Sequence, residues 1–248
     1  MVGVSAHRGG HEVAPEGTLP AYRAAILAGV DLIEVDVRRR ADGTLVCAHD
    51  PLDGAAVSRL RTLSPPDSGR NLDIAAPAPL AAVLDLAAEH GVGGHIDVKE
   101  SGYEAELVAF VGRRLALAYY TSGDGASVER LCAAGGLGLL TVGSGLAGKP
   151  WWQVVRLVLG DYFPYRRILR CGAGGVAVQF RFCTPWLRAW LRRRQLLCLV
   201  YTVDGTRSLR RLLRRRGVTA VVTNRPMAAL AIRDRRSTAV PHVGGDFS

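Results

Sequence analysis

The stretch Asp31-Leu32-Ile33-Glu34-Val35-Asp36-Val37 decides how this chain is interpreted. Its apolar residues are mostly β-branched, and it lies between Gly29 and a run of three arginines, which predicts a buried strand. Glu34 and Asp36 are two residues apart, so their side chains leave the same face of that strand. Neighbouring carboxylates on a buried face repel each other, so a positive group must lie between them. Arginines and an oxygen-liganded divalent cation are both candidates, and an ion pair at the strand end is the alternative without function.

The composition indicates a protein with one large core and an excess of arginine. The chain has 248 residues, of which 48% are hydrophobic, and this length is common for a single α/β domain. Its formal net charge is +10, and because Lys99 and Lys149 are its lysines, 30 of its 32 basic residues are arginine. Arginine suits bidentate binding of phosphate, and a basic surface also suits nucleic acid or an anionic membrane. Coding bias explains most of the surface arginines equally well.

The cysteines and the amino terminus indicate a cytoplasmic protein. Five cysteines are scattered along the chain, and no spacing among them is typical of a zinc site. Several lie in apolar runs, so we interpret them as reduced core residues. The first residues lack the basic leader and apolar segment of a secretory signal, and no apolar run approaches the length of a membrane span.

Predicted strands and helices alternate along most of the chain, which favours a parallel sheet. Asp42-Gly43 is typical of a hairpin turn that leads into a short strand over residues 45–48. The other predicted strands cover residues 2–6, 31–37, 94–99, 117–121, 137–142, 176–180, 196–203 and 218–223. Helices are predicted over residues 19–28, 80–90, 104–117, 127–134, 185–193, 206–216 and 226–235.

About eight strand–helix units in a chain of this length match a (β/α)8 TIM barrel. An open doubly wound sheet is the competing α/β fold, but the sequence lacks the glycine-rich phosphate-binding patterns that are typical of it. We expect a single domain over residues 1–236, with an irregular segment at residues 144–172 and a flexible tail at residues 237–248.

Polar residues gather where the predicted strands end. The carboxyl ends of barrel strands meet at one mouth, where barrel enzymes build their sites. Each of these residues taken alone has an ordinary explanation, such as a turn or an internal ion pair. Their joint placement on one rim favours a functional site formed by His7, Arg8, Glu34, Asp36, His49, Asp97 and Lys99.

These residue types indicate chemistry at a phosphate group. Three carboxylates, from Glu34, Asp36 and Asp97, suit one hard divalent cation such as Mg²⁺ or Ca²⁺, with water completing its shell. His7 and His49 come from different strands and can flank a substrate as general base and general acid. A metal, two imidazoles and two neighbouring cations together describe cleavage of a P–O bond.

Four residues are candidates for direct contacts with the substrate. Arg8 and Lys99 can hold phosphate oxygens and neutralise the charge that develops on them. Gln179 ends the sixth predicted barrel strand and Tyr201 lies near the end of the seventh, so both are expected to face the pocket. A satisfied polar residue and a packed ring are the structural alternatives for these two.

Several motifs resemble those of the glycerophosphodiester phosphodiesterase family. The similarity follows the family order over most of the chain and is most specific between residues 7 and 99. The motifs are His7-Arg8-Gly9, Pro15-Glu16-Gly17-Thr18, Glu34-Val35-Asp36, His49-Asp50, Asp97-Val98-Lys99, Val200-Tyr201-Thr202-Val203-Asp204 and residues 218–226.

The resemblance implies a TIM barrel that hydrolyses glycerophosphodiesters to glycerol phosphate and an alcohol. It also implies one Mg²⁺ or Ca²⁺ at the positions of Glu34, Asp36 and Asp97, with the two histidines as acid and base. In the family mechanism a neighbouring hydroxyl of the substrate can attack phosphorus and give a cyclic phosphate. An internal nucleophile of this kind removes an entropic cost.

Several positions depart from the family pattern. Gly17 stands where the family usually has Asn, and Asn224 stands where it usually has Asp. The third metal position is Asp97 rather than Glu, and its pairing with a following lysine resembles related phospholipase D-like toxins of spiders. The segment after His49 is short, which implies a more open mouth for a larger substrate. A small glycerophosphodiester or a lysophospholipid is therefore the expected substrate.

An aromatic and basic segment points to a membrane as a further partner. Aromatic residues between positions 144 and 172 are interleaved with arginines, which favours peripheral contact with an anionic membrane, although an ordinary amphipathic barrel helix is the alternative. The sequence has no zinc finger or RNA-binding motif, and residues 207–216 are most simply a solvated basic face, so nucleic acid is not an expected partner. A non-catalytic barrel that binds anions is the remaining alternative, but it would not need both histidines and all three acids.

Overall fold

Eight parallel strands close into a barrel within the part of the chain that the structure describes. This computed structural model describes residues 1–52, 77–143 and 158–234. β1 pairs with both β2 and β9, which closes the ring, and β3 is an antiparallel hairpin partner of β2. The predicted TIM barrel is therefore confirmed, and an open doubly wound sheet is excluded. In chain order the strands are β1 (Gly3–Ala6), β2 (Leu32–Arg39), β3 (Leu45–Cys47), β4 (Gly93–Val98), β5 (Ala118–Ser122), β6 (Leu137–Val142), β7 (Gly175–Gln179), β8 (Leu197–Tyr201) and β9 (Ala220–Thr223).

Helices alternate with the barrel strands along the described chain. Two of them have a threonine cap and a proline at one of the first two helical positions: the Thr18 hydroxyl accepts a hydrogen bond from the Ala21 amide, and the Thr184 hydroxyl accepts one from the Leu187 amide. Among the described helices, none is both long and apolar enough to cross a bilayer. The helices are α1 (Leu19–Leu27), α2 (Leu80–Glu89), α3 (Glu104–Gly112), α4 (Gly125–Ala133), α5 (Tyr165–Arg170), α6 (Pro185–Arg193), α7 (Thr206–Leu212) and α8 (Pro226–Asp234).

The structure moves several of the predicted boundaries. The helices predicted over residues 104–117 and 206–216 end at Gly112 and Leu212, because tight turns reverse the chain before the next strand. The segment over residues 144–172, expected to be irregular, contains α5 in its described part. The predicted tail at residues 237–248 lies outside the described residues, as does much of the segment after His49.

The inside of the barrel is apolar at its floor and polar at its mouth. Side chains alternate along β2, so Glu34 and Asp36 lie on the same face as Leu32 and further towards the carboxyl end of the strand. Asp36 is paired in the sheet with Asp97, and Asp97 with Thr121, so strand register brings these polar side chains together. A buried apolar cluster forms the floor below them, from Leu32, Leu139, Ala177, Leu199, Ala220 and Val222.

β7 and β8 approach each other closely at Gly175. A Cβ added there would lie 2.3 Å from the carbonyl oxygen of Leu197 and 2.7 Å from its amide nitrogen. Because both are backbone atoms in a paired strand, we expect Gly175→Ala to lower the free energy of unfolding by about 1–3 kcal/mol. Gly112→Ala is the matched control, since a Cβ there meets nothing within 4 Å, and it should leave stability unchanged or slightly higher. Urea denaturation measures both changes, and equal midpoints would contradict the expectation.

Candidate active site

A cavity of about 560 Å³ lies at the carboxyl ends of the strands. Gln179 is not among the described residues that line it; it ends β7 paired with Tyr201, and its contact with a substrate stays a prediction. The Tyr201 hydroxyl donates a hydrogen bond to the Val142 carbonyl at 3.0 Å, which fixes the ring against the wall. The other eight residues predicted for the site all line the cavity, namely His7, Arg8, Glu34, Asp36, His49, Asp97, Lys99 and Tyr201.

Three carboxylates converge in this cavity. Glu34, Asp36 and Asp97 each contribute one oxygen to a group whose members all lie within 4.8 Å of one another. Burial raises the pKa of Glu34 well above its ordinary value, and the charges of Asp36 and Asp97 raise it further. Burial also opposes ionisation of Asp36, but the Lys99 ammonium and the Arg8 guanidinium outweigh it and lower the pKa of that carboxyl.

Two cations balance part of this negative charge. Lys99 Nζ lies 2.8 Å from Asp36 Oδ1 and also pairs with Asp97. Arg8 Nε lies 2.7 Å from Asp36 Oδ2, a charge contact without hydrogen-bond alignment. Glu34 accepts a hydrogen bond from the Arg8 amide at 2.9 Å, but no cationic side chain of the described residues pairs with it. A donor set of three close carboxylates, one of them uncompensated, fits a hard divalent cation.

Arg8 occupies a backbone conformation that few residues other than glycine adopt. Its φ is 48° and its ψ is 35°, in the left-handed region, which costs about 1–2 kcal/mol for a residue with a Cβ. The turn directs the Arg8 amide at Glu34, while its carbonyl accepts a hydrogen bond from the Gly17 amide at 2.8 Å. Arg8 Nη1 also pairs with Glu16 at 2.9 Å. The strained turn therefore ties the first strand to the acids of the second.

A hydrogen-bond chain fixes the protonation of His7. Asn224 Nδ2 donates to Asp204 Oδ2 at 2.9 Å, so the other end of its amide, Oδ1, faces His7 Nδ1 at 2.6 Å. Because an amide oxygen only accepts, Nδ1 must carry the proton, which leaves Nε2 as the basic nitrogen. Burial lowers the pKa of His7 from its ordinary value, and the Asn224 hydrogen bond partly opposes this shift.

His49 lies on an exposed segment two residues after the end of β3. Its Nδ1 is 2.9 Å from Asp50 Oδ1, and its ring reaches the same cavity as His7. Arg38 holds the hairpin in place, because its Nε and Nη2 donate to the His49 carbonyl at 3.0 and 2.9 Å. Arg38 also pairs with Glu100 after β4. The positioning by Arg38 was not predicted, since the arginine run was interpreted only as the end of a strand.

His95 and Thr121 are two cavity residues that the sequence analysis missed. The Thr121 hydroxyl donates to Asp97 Oδ1 at 2.7 Å, so its oxygen is free to accept from His95 Nε2 at 3.2 Å. Burial lowers the pKa of His95 to about 4, so this imidazole is neutral. His95 precedes Asp97 by two residues on β4, and strand alternation alone could have placed it on the same face.

Comparison with known proteins finds the same family as the motifs. Residues 7–64 match the model of the Glycerophosphoryl diester phosphodiesterase family. The predicted family resemblance is confirmed. Over 47 residues the chain is 53% identical to the "Probable glycerophosphodiester phosphodiesterase 1" of Mycobacterium tuberculosis, a match that covers 19% of this chain and 17% of that relative. The matched part thus spans less than a fifth of the relative's length.

Solved structures of phosphodiesterases have the same barrel. A glycerophosphodiester phosphodiesterase from Agrobacterium tumefaciens superposes with a TM-score of 0.67 at 22% identity, over 93% of this chain and 100% of that one. An Oleispira antarctica phosphodiesterase, solved with the product sn-glycerol-3-phosphate, gives a TM-score of 0.66 at 18% identity, over 94% and 96% of the two chains. At these identities the likeness establishes the fold.

The Gly17 departure from the family pattern leaves room at the rim. The φ of Gly17 is +77°, a value that Asn tolerates better than most residues, and a Cβ there would meet nothing within 4 Å. A Cβ at this position would therefore not clash with the described residues around it.

Glu34→Gln tests whether the buried Glu34 carboxylate destabilises the folded protein in the absence of a metal ion. A carboxyl whose pKa is raised by folding destabilises the protein once the pH exceeds its unfolded pKa of about 4.3. In a chelator at pH 7, we therefore expect Glu34→Gln to have a higher Tm than the wild type, since the amide removes an uncompensated buried charge. Near pH 4 the two proteins should have nearly equal Tm, because the carboxyl is then largely protonated in both states.

Added Mg²⁺ or Ca²⁺ should raise the Tm of the wild type and leave that of Glu34→Gln nearly unchanged. Asp85→Asn is the control, because its exposed carboxylate pairs with Arg114 at the surface and contributes little at either pH. Scanning calorimetry measures all three proteins. A lower Tm for Glu34→Gln at pH 7 in chelator would contradict the electrostatic explanation.

Proposed function

We propose that the chain is a metal-dependent phosphodiesterase that hydrolyses glycerophosphodiesters to glycerol phosphate and an alcohol. The observation that carries this proposal is the meeting of three carboxylates and two histidines around one cavity, most of them within the segment that matches the family. The product complex of the Oleispira phosphodiesterase adds support, because it shows that a barrel of this fold holds a glycerol phosphate.

Glu34, Asp36 and Asp97 are the residues that would hold one divalent cation, Mg²⁺ or Ca²⁺. When ionised, these three carboxylates together with Arg8 and Lys99 carry a formal charge of −1, apart from the histidines. A divalent cation changes this charge to +1, which would attract a phosphodiester of charge −1. When bound, such an ion supplies Lewis-acid polarisation of a phosphoryl oxygen.

The two histidines perform the proton transfers. His7 Nε2 takes the proton of a substrate hydroxyl as that oxygen attacks phosphorus, and His49 gives a proton to the alcohol that leaves. The products of this step are a cyclic phosphate and the free alcohol, and water then opens the ring with the two proton transfers reversed. The hydrogen bond to Asn224 holds the His7 ring during both steps.

Arg8 and Lys99 have donors left for the phosphate. Arg8 uses Nε and Nη1 for Asp36 and Glu16, so Nη2 has no partner among the described residues. Lys99 uses two contacts for Asp36 and Asp97, which leaves one of its three protons. Both side chains reach the cavity and can therefore bind phosphoryl oxygens while they remain paired with the acids.

Release of glycerol phosphate from glycerophosphocholine tests the proposed function. The protein should turn over this substrate with Mg²⁺ or Ca²⁺, and a chelator should stop it. His7→Ala should lower kcat by about 10²–10⁴-fold, the usual contribution of a general base. His90→Ala is the matched control, because His90 contacts the Leu86 carbonyl at the end of α2 and should keep the full rate.

Two outcomes would count against the enzyme and favour a non-catalytic barrel. One is unchanged turnover in His7→Ala with an intact fold. The other is no turnover by the wild type on any glycerophosphodiester or lysophospholipid with either metal. A preference for the lysophospholipid would instead assign the larger, lipid-bearing substrate to the same site.

Asn224→Ala tests the hydrogen-bond chain behind His7. Because the Asn224 hydrogen bond raises the pKa of His7, its removal lowers that pKa further. A general base acts in its neutral form, so the acid limb of the kcat/KM profile should move to lower pH than in the wild type. The maximum of the profile should fall about tenfold or more, because the imidazole loses its fixed orientation. An unchanged acid limb and maximum would show that Asn224 does not act through His7.

A further inference from the structure

The positive charge of the chain is concentrated in one stretch. Residues 158–216 contain fourteen arginines and two acidic residues, a net charge of +12, whereas the rest of the chain carries −2. Asp161 is buried and pairs with Arg167. Asp204 is occupied by hydrogen bonds from Asn224. The other thirteen arginines therefore have no acidic counterpart within this stretch.

Nine of the fourteen arginines lie on three consecutive helices, α5, α6 and α7, and the other five lie in the segments next to α6 and α7, namely Arg181, Arg194, Arg214, Arg215 and Arg216. Apart from Arg167, none of them forms an ion pair with a carboxylate of the described residues. Like charges at this density repel one another, so binding of an anionic partner would relieve this repulsion and be favourable. One cleft of about 370 Å³ is lined by Arg207, Arg210, Arg211, Arg214 and Arg215. A second of the same volume adds Arg188 and Arg192 of α6.

Large apolar side chains are exposed on the same helices. Trp186 in the first turn of α6 is 79% exposed, and Phe163 and Leu169 are 67% and 57% exposed. Trp186 and Trp190 are four residues apart and share one face of α6. The Tyr165 ring packs on Trp190 at 4.9 Å, and Phe163 is 6.4 Å from Tyr165. Ring contacts thus link Phe163, just before α5, to Tyr165 and Trp190, while Trp186 is exposed one turn earlier on the face of α6 that carries Trp190.

We infer that the outer surface of α5, α6 and α7 docks on an anionic phospholipid membrane. Arginine side chains reach lipid phosphates, while indole and phenyl rings suit the headgroup region and leucine suits the acyl boundary below it. A nucleic acid or another soluble polyanion would satisfy the arginines but would leave Leu169 exposed. An anionic lipid surface covers both the charged and the apolar side chains.

One end of this surface lies near the mouth of the cavity. α6 begins six residues after the end of β7, so Trp186 lies at the mouth end of the barrel. The proposed phosphodiesterase would then meet substrates released from lipids at the place where they form. The inference names a partner for that enzyme, but membrane binding needs no turnover, so the two proposals fail separately.

Co-flotation of the full chain with unilamellar vesicles tests the inference. The protein should float with vesicles of phosphatidylcholine and phosphatidylglycerol, should not float with phosphatidylcholine alone, and should be released by salt at about 0.5 M. Replacing Arg207, Arg210 and Arg211 together by Gln should weaken binding about 100-fold, since each basic residue contributes roughly fivefold near an anionic surface. Trp186→Ala should weaken it roughly tenfold, because a large apolar side chain is lost from the interface.

The matched control removes the same charge elsewhere. Arg23, Arg40 and Arg113 are exposed and lie outside the three helices, so their joint replacement by Gln should leave vesicle binding as in the wild type. Equal weakening by the two triple variants, or flotation that does not depend on vesicle charge, would overturn the inference. Binding to polyphosphate or single-stranded DNA without binding to anionic vesicles would overturn it in favour of a soluble polyanion. Turnover of soluble glycerophosphocholine should be the same in both triple variants.

Discussion

Three carboxylates share the inside of one barrel, and much of the surrounding structure limits their repulsion. Two like charges about 5 Å apart repel by roughly 3 kcal/mol at an effective dielectric of about 20. Lys99 and Arg8 both form ion pairs with Asp36, which is therefore ionised. Glu34, in contrast, lacks a cationic partner among the described side chains. The imbalance is local, and one divalent cation removes it. The stability of the barrel and the chemistry proposed for it thus both depend on the negative charge of Glu34, which no cationic side chain of the described residues balances.

The rest of the cavity is held by contacts that reach across the barrel. Asp204 orients Asn224, and Asn224 orients His7, so residues near the end of the chain set the proton on a ring near its beginning. Arg38 positions His49 by donating hydrogen bonds to its backbone carbonyl. In both cases a histidine at the rim is positioned by a side chain that does not need to touch the substrate. The neutral Asn224 also leaves His7 without a carboxylate partner, which favours the uncharged imidazole.

The fold, and the meeting of most predicted site residues at one cavity, follow from local periodicity and strand ends and could therefore be predicted from the sequence. Alternation along β2 placed Glu34 and Asp36 on one face, and parallel pairing placed Asp97 beside Asp36. Contacts between residues far apart in the chain were not accessible in this way. The hydrogen bond between His7 and Asn224 joins residues 217 positions apart, and the packing of Tyr165 on Trp190 depends on two helices whose relative placement no local pattern specifies. His95 and Thr121 were missed for a different reason: each has an ordinary strand environment, and only their shared neighbour Asp97 gives them a role.

The apolar floor of the barrel limits how the leaving alcohol and the entering water can reach the cavity. Leu139, Leu199 and Val222 are almost fully buried and belong to the apolar cluster below the cavity, so this cluster closes the cavity at that end. In the two-stage hydrolysis proposed above, the departing alcohol and the incoming water would therefore exchange at the carboxyl-end side of the cavity, away from this floor. A leaving alcohol that stays near this opening would slow the entry of water and so prolong the life of a cyclic phosphate.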